Sequence, residues 1–133
     1  MDPIIIEYAG QPNILEGGAP RDVIIGLETE GGELLRTATF ECVALGRPVP
    51  IINWYYIIVY QDGTMDTKKR LSNDDRFNIT SSSSSEDQTR RFQRTSMLTI
   101  SVTENDGGII RCQTGASFKD AYLTVLSKFH CIL

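Results

Sequence analysis

Three cysteines, one histidine and two acidic clusters are the side chains of this 133-residue chain with reactive or ligating chemistry to offer. The histidine, His130, stands in the C-terminal tail, and a serine nucleophile without a positioned base is weak, so no catalytic residue and no enzyme activity is expected. Asp74 Asp75 and Asn105 Asp106 attract a search for calcium, but each lacks the roughly six to eight oxygen ligands such a site needs. Solvated turns explain them, and neither metal nor cofactor is expected. A redox thiol needs a low pKa and exposure, and the apolar alternation around Cys42 and Cys112 offers neither. Cys131 is the odd cysteine of the tail, and it suggests an intermolecular bridge or a free thiol unless it belongs with a neighbouring segment. Asn78 Ile79 Thr80 has the form of an N-glycosylation acceptor. A glycan there marks its sheet as a face kept free of partners.

The element that must position these residues is the run Ile51 Ile52 Asn53 Trp54 Tyr55 Tyr56 Ile57 Ile58 Val59 Tyr60. β-Branched and aromatic side chains suit a pleated, half-buried surface, and the run is too short for a membrane helix, which needs about 20 residues. With Trp54 facing inward, Ile52, Tyr56, Ile58 and Tyr60 share its face, while Asn53, Tyr55, Ile57 and Val59 point the other way. Before it, a strand over Leu34 to Leu45 turns Ala38, Phe40, Cys42 and Ala44 inward. After it, Asp62 Gly63 signals a tight hairpin, with a return strand over Met65 to Leu71. Arg76 to Thr80 and Ser96 to Val102 are further strands, the latter with Leu98, Ile100 and Val102 inward. Ser81 to Ser85 and the polar residues after them cannot bury enough apolar surface to offset their ordering entropy, so a mobile loop is expected there. Val23 to Leu27 and Ala121 to Leu126 complete the set. Pro3 to Tyr8 reads as an edge strand, and Gly10 to Pro20 as a loop.

In order, Thr37 Ala38 Thr39 Phe40 Glu41 Cys42, Gly46 Arg47 Pro48 Val49 Pro50 Ile51 Ile52 Asn53 Trp54 and Asp106 Gly107 Gly108 Ile109 Ile110 Arg111 Cys112 resemble strand B, the B to C passage and the E to F corner with strand F of an immunoglobulin domain. The resemblance spans roughly residues 21 to 126. It implies an all-β fold, a two-sheet Greek-key immunoglobulin-like sandwich of variable or intermediate type. Residues 1–20 then form an N-terminal leader or edge strand and loop, 21–126 the domain, and 127–133 a tail. The resemblance also implies an inter-sheet disulfide between Cys42 and Cys112, 70 residues apart, with Trp54 packed on it among Phe40, Leu98, Ile100 and Ile110. It further implies a salt bridge from Arg76 to Asp106 across the bottom of the sandwich. The chain departs from the pattern twice. The tyrosine two positions before the second cysteine is Ile110, which removes the usual corner hydrogen bond at some loss of local definition. Ser117 Phe118 Lys119 Asp120 replaces the Phe-Gly-x-Gly of rearranged antigen receptors, and the F to G loop is short, roughly Thr114 to Lys119.

A net charge of −4 and a pI near 4.9 argue against a phosphate-binding surface. Met1 Asp2 Pro3 opens without a signal segment, so the chain is cytosolic or begins after a removed leader, and the cysteines favour the second. The resemblance implies an extracellular or cell-surface domain that recognises a protein, in adhesion, receptor binding or immune-type recognition. The partner is a second copy or another protein, not a nucleic acid. The expected surface is the sheet of strands G, F, C and C′, where Tyr55, Ile57 and Val59 project beside Arg111 and Gln113. Two other readings stand beside it: an intracellular structural module similar to the immunoglobulin repeats of muscle filaments, and recognition by the loop tips Gly46 to Pro50 and Thr114 to Lys119.

Overall fold

The computed structural model describes residues 11–27, 36–60, 62–83, 91–103 and 105–127. These form nine strands: β1 (Asn13–Ile14), β2 (Val23–Leu27), β3 (Arg36–Gly46), β4 (Asn53–Ile58), β5 (Lys69–Arg70), β6 (Phe77–Ser83), β7 (Phe92–Val102), β8 (Gly108–Thr114) and β9 (Ser117–Ser127). They make a four-stranded sheet in the order β1-β3-β7-β6 and a five-stranded sheet in the order β2-β9-β8-β4-β5. No helix among the described residues is long and apolar enough to cross a membrane.

The period-two pattern of the chain becomes the two inner faces. From the four-stranded sheet, β3 buries Ala38, Phe40, Cys42 and Ala44, and β7 buries Ser96, Leu98, Ile100 and Val102. From the other sheet, β4 buries Trp54 and Tyr56, β8 buries Ile110 and Cys112, and β9 buries Ala121 and Leu123. The disulfide Cys42–Cys112 joins the sheets through this core, with the two Cα atoms 6.5 Å apart. Trp54 lies directly opposite Cys112 in the β4–β8 ladder. Its Nε1 donates 2.9 Å across the core to Oγ of Ser96, which lies opposite Cys42 in the β3–β7 ladder. One covalent and one polar bridge therefore cross the sandwich side by side.

Several elements differ from the expectations above. β1 falls inside the stretch read as a loop: Ile14 is buried, and its neighbourhood is tied to β3 by Leu15 N–H to the Val43 carbonyl and Val43 N–H to the Gly18 carbonyl, both 2.9 Å. The chain then changes sheets, and β2 runs parallel to β9. β4 ends at Ile58, so Tyr60 does not continue the core face. The hairpin carries it into solvent, where its hydroxyl meets Asp66 Oδ2 at 3.0 Å. The return strand shrinks to β5 and a single bridge between Val59 and Met65. Ser81, Ser82 and Ser83 belong to β6 rather than to a loop, because β7 begins early enough to supply Ser96, Thr95 and Arg94 as partners. At the other end, β8 and β9 pair down to Thr114 and Ser117, which leaves only Gly115 and Ala116 as the connection. Pro3 to Tyr8, Leu34, Leu35, Ser84, Ser85, His130 and Cys131 lie outside the described residues.

Candidate recognition face

Two places on the sandwich combine polar groups in a defined geometry, and they serve different ends. At the E to F corner, the side chain of Asp106 is 4% exposed and fully engaged. Its Oδ2 accepts Arg76 Nη2 at 2.6 Å and Thr103 N–H at 2.8 Å, while Oδ1 accepts the Tyr56 hydroxyl at 2.9 Å. The same hydroxyl accepts Gly107 N–H at 2.9 Å. The Arg76 guanidinium rests 5.1 Å from the Phe77 ring, and Phe77 meets the Tyr56 ring edge-on at 6.3 Å. All the polar groups here satisfy one another, so the corner is architecture rather than a ligand site. Ile110 is fully buried, and the hydroxyl at this corner comes from Tyr56, its partner across the β4–β8 ladder. Two aromatic residues in a row at 55 and 56 were the signal. Strand parity alone sends Tyr56 inward and its hydroxyl has to find a partner.

The other place is the outer face of the five-stranded sheet. Tyr55, Ile57, Arg111 and Gln113 lie on it, with Val59 just past the end of β4, but each is half-buried rather than prominent. Neighbours on the sheet explain this. Lys68 Nζ sits 4.4 Å above the Tyr55 ring. Arg111 makes a two-pronged ion pair with Asp120, Nε to Oδ1 at 2.7 Å and Nη2 to Oδ2 at 3.0 Å, and its guanidinium lies 4.1 Å from the Phe118 ring. The carboxylate holds the Arg111 pKa above its ordinary value. Three apolar side chains on the strands beside are more open to solvent: Ile24 at 69%, Tyr122 at 56% and Phe118 at 47% exposure. The sequence reading missed all three. Alternation along β9 could have found two of them, because Ala121 and Leu123 inward force Tyr122 outward, and the same parity carried back to Phe118 reveals that the strand begins before Ala121; Ile24, on β2, is placed by its pairing with Thr124.

Beside Tyr122, an open groove of about 890 Å³ runs along the same end of the sandwich, between Tyr60 and Asp62 of the hairpin, Gly107 of the corner and Val125 of β9. Asn78 stands exposed on β6, the edge strand of the opposite sheet. Among the described residues no group of three or more histidine, cysteine or acidic side chains is placed to hold a metal ion.

No family model matches the chain, and no curated protein matches it in sequence. Solved structures do. The N-terminal eight immunoglobulin domains of Down Syndrome Cell Adhesion Molecule isoform 1.30.30 are similar at 24% identity and a TM-score of 0.58, over 88% of this chain and 13% of that one. The tandem immunoglobulin repeats of Dlar give 24% and 0.54, over 88% of this chain and 47% of that one. Domain I81 of titin gives 18% and 0.54, over 88% of this chain and 98% of that one. A cell adhesion molecule and titin thus share this architecture, and fold alone does not choose a role. Strand order, inter-sheet disulfide and these neighbours agree, and the chain is a domain of the immunoglobulin fold.

Proposed function

We propose that this domain is an extracellular protein-recognition module, of the adhesion or receptor kind, that binds its partner through the outer face of the five-stranded sheet. The observation that carries the reading is that Ile24 and Tyr122 open outward near one another on one face, with Phe118 farther along β9 beyond the ion-paired Arg111. Aromatic residues and arginine are enriched at protein interfaces, and clustered exposed apolar side chains mark partner sites where scattered ones do not. Among the described residues the outer face of the opposite sheet carries one exposed large apolar side chain, Met97. The rest of that face is largely threonine and serine. The disulfide supports an oxidising compartment, which weighs against the intracellular structural module, and the two-residue β8–β9 connection leaves little loop for recognition by the tips.

The test is sedimentation equilibrium of the oxidised domain carrying Cys131→Ser, followed by cell-surface binding where the domain is monomeric. Tyr122→Arg and Tyr55→Arg abolish association or binding with the melting temperature unchanged, while Thr99→Arg on the other sheet leaves it intact. Loss with Thr99→Arg alone overturns the reading.

A further inference from the structure

Asn78 is the one asparagine of the chain followed at the second position by serine or threonine. In the folded domain it lies on β6, where Asn78 and Thr80, two residues apart on an extended strand, share the outer side and are both exposed. β6 is an edge strand, so a bulky group on Asn78 has open solvent beside it as well as above it. The backbone between them is anchored, since Ile79 N–H donates to Asn73 Oδ1 at 2.5 Å. Across the ladder Asn78 faces Thr99, whose hydroxyl lies 3.4 Å from that of Thr39, so the row of the sheet directly beside it is neutral and hydroxyl-bearing. Sugar hydroxyls can lie on such a surface without burying charge.

We propose that Asn78 carries an N-linked oligosaccharide that covers the outer face of the four-stranded sheet. The donor is a lipid-pyrophosphate-linked oligosaccharide. The Asn78 side-chain nitrogen forms a bond to C1 of the first sugar, the C1–O bond to pyrophosphate breaks, the lipid pyrophosphate leaves with the electron pair, and the amide gives up one proton. No oxidation or reduction is involved. The compartment that forms the Cys42–Cys112 disulfide is the one in which such donors are used. The glycan removes one of the two sheet faces from protein contact, whichever partner the other face takes.

The experiment is secretion of the full chain from cultured animal cells behind a cleavable leader, with intact mass measured before and after peptide-N-glycosidase. The wild-type chain gains the mass of one glycan, which the enzyme removes to leave aspartate at 78. Asn78→Gln and Thr80→Ala lose that mass, Thr80→Ser keeps it, and all variants form the Cys42–Cys112 bond. A wild-type chain recovered with that bond formed and no glycan overturns the proposal, because the bond shows that the chain entered the oxidising compartment and folded. A glycan persisting on Asn78→Gln overturns it equally.

Discussion

Tyr56 and Ile110 oppose one another across β4 and β8, and the tyrosine does from β4 what Ile110, without a hydroxyl, cannot. Its side chain passes down the core to the E to F corner, donating to Asp106 and accepting from Gly107. Tyr56→Phe leaves a nearly buried carboxylate one donor short and a backbone N–H without its acceptor. Losing a partner of a buried polar group costs about 1–3 kcal/mol. Urea unfolding should show the unfolding free energy lowered by that amount, read as a lower midpoint with the slope unchanged, and amide exchange at Gly107 should accelerate beyond the global effect.

The same hydroxyl makes stability fall at alkaline pH. Burial raises the Tyr56 pKa well above its ordinary 10, the Gly107 N–H opposes the rise, and the Asp106 carboxylate adds to it. With the folded pKa above the unfolded one, the contribution is full below pH 10 and is lost as pH rises through the folded value, because only the unfolded chain releases its proton. Unfolding free energy measured from pH 8 to 11.5 should decline above about 10. Tyr56→Phe should flatten that decline while lowering the plateau.

Trp54 and Ser96 form the polar bridge beside the disulfide, and Ser96 is itself fully buried. Ser96→Ala removes the acceptor and strands the indole N–H in the core, for a loss of about 1–3 kcal/mol. Because Ser96 lies opposite Cys42 while Trp54 lies opposite Cys112, the two bridges restrain the same pair of sheets. A cycle of Ser96→Ala with and without reduction of the disulfide should therefore be non-additive. Simple additivity within about 0.3 kcal/mol would show the bridges to be independent.

What the sequence made legible follows from parity. Phe40, Cys42, Trp54, Leu98, Ile100 and Cys112 each sit in a run where inner and outer residues alternate, so one anchor assigned the rest, and all of them are buried. Arg76 and Asp106 meet as the resemblance implied, at 2.6 Å. Apart from β1, a short strand paired to β3 inside a stretch rich in glycine and proline, the failures have one physical source, the end of an element. Where β4 ends at Ile58, alternation stops and Tyr60 turns outward. Where β9 begins at Ser117, hydrogen bonding across the ladder extends alternation into Phe118, Lys119 and Asp120, residues whose types look like a loop. Partner strands set those ends, and local residue preference carries no information about how far a neighbour reaches. The recognition face suffers most, because it is assembled from four strands: Phe118 lies at the misjudged start of β9, and Ile24 joins the face from β2, opposite Thr124.

Gly108 is the corner's steric key. It stands at φ +154° where β8 begins, and a Cβ built on it would collide with the carbonyl oxygen of Ile57 and press on the backbone at Ile58 and Val59. These neighbours are backbone atoms at the end of β4, which cannot rotate away as a side chain tip does. Gly108→Ala therefore has to push β4 from β8 at the point where Ile58 and Gly108 pair and where Val59 N–H meets the Gly107 carbonyl. The cost should exceed the roughly 1 kcal/mol of an ordinary strained position. Gly63, also at positive φ but with open space around its missing Cβ, provides the comparison. Gly63→Ala should pay the conformational cost alone, and thermal unfolding of the two variants should separate conformation from collision. Equal losses would mean that β4 yields to the added methyl and that the close approach at Gly108 is not what fixes the corner.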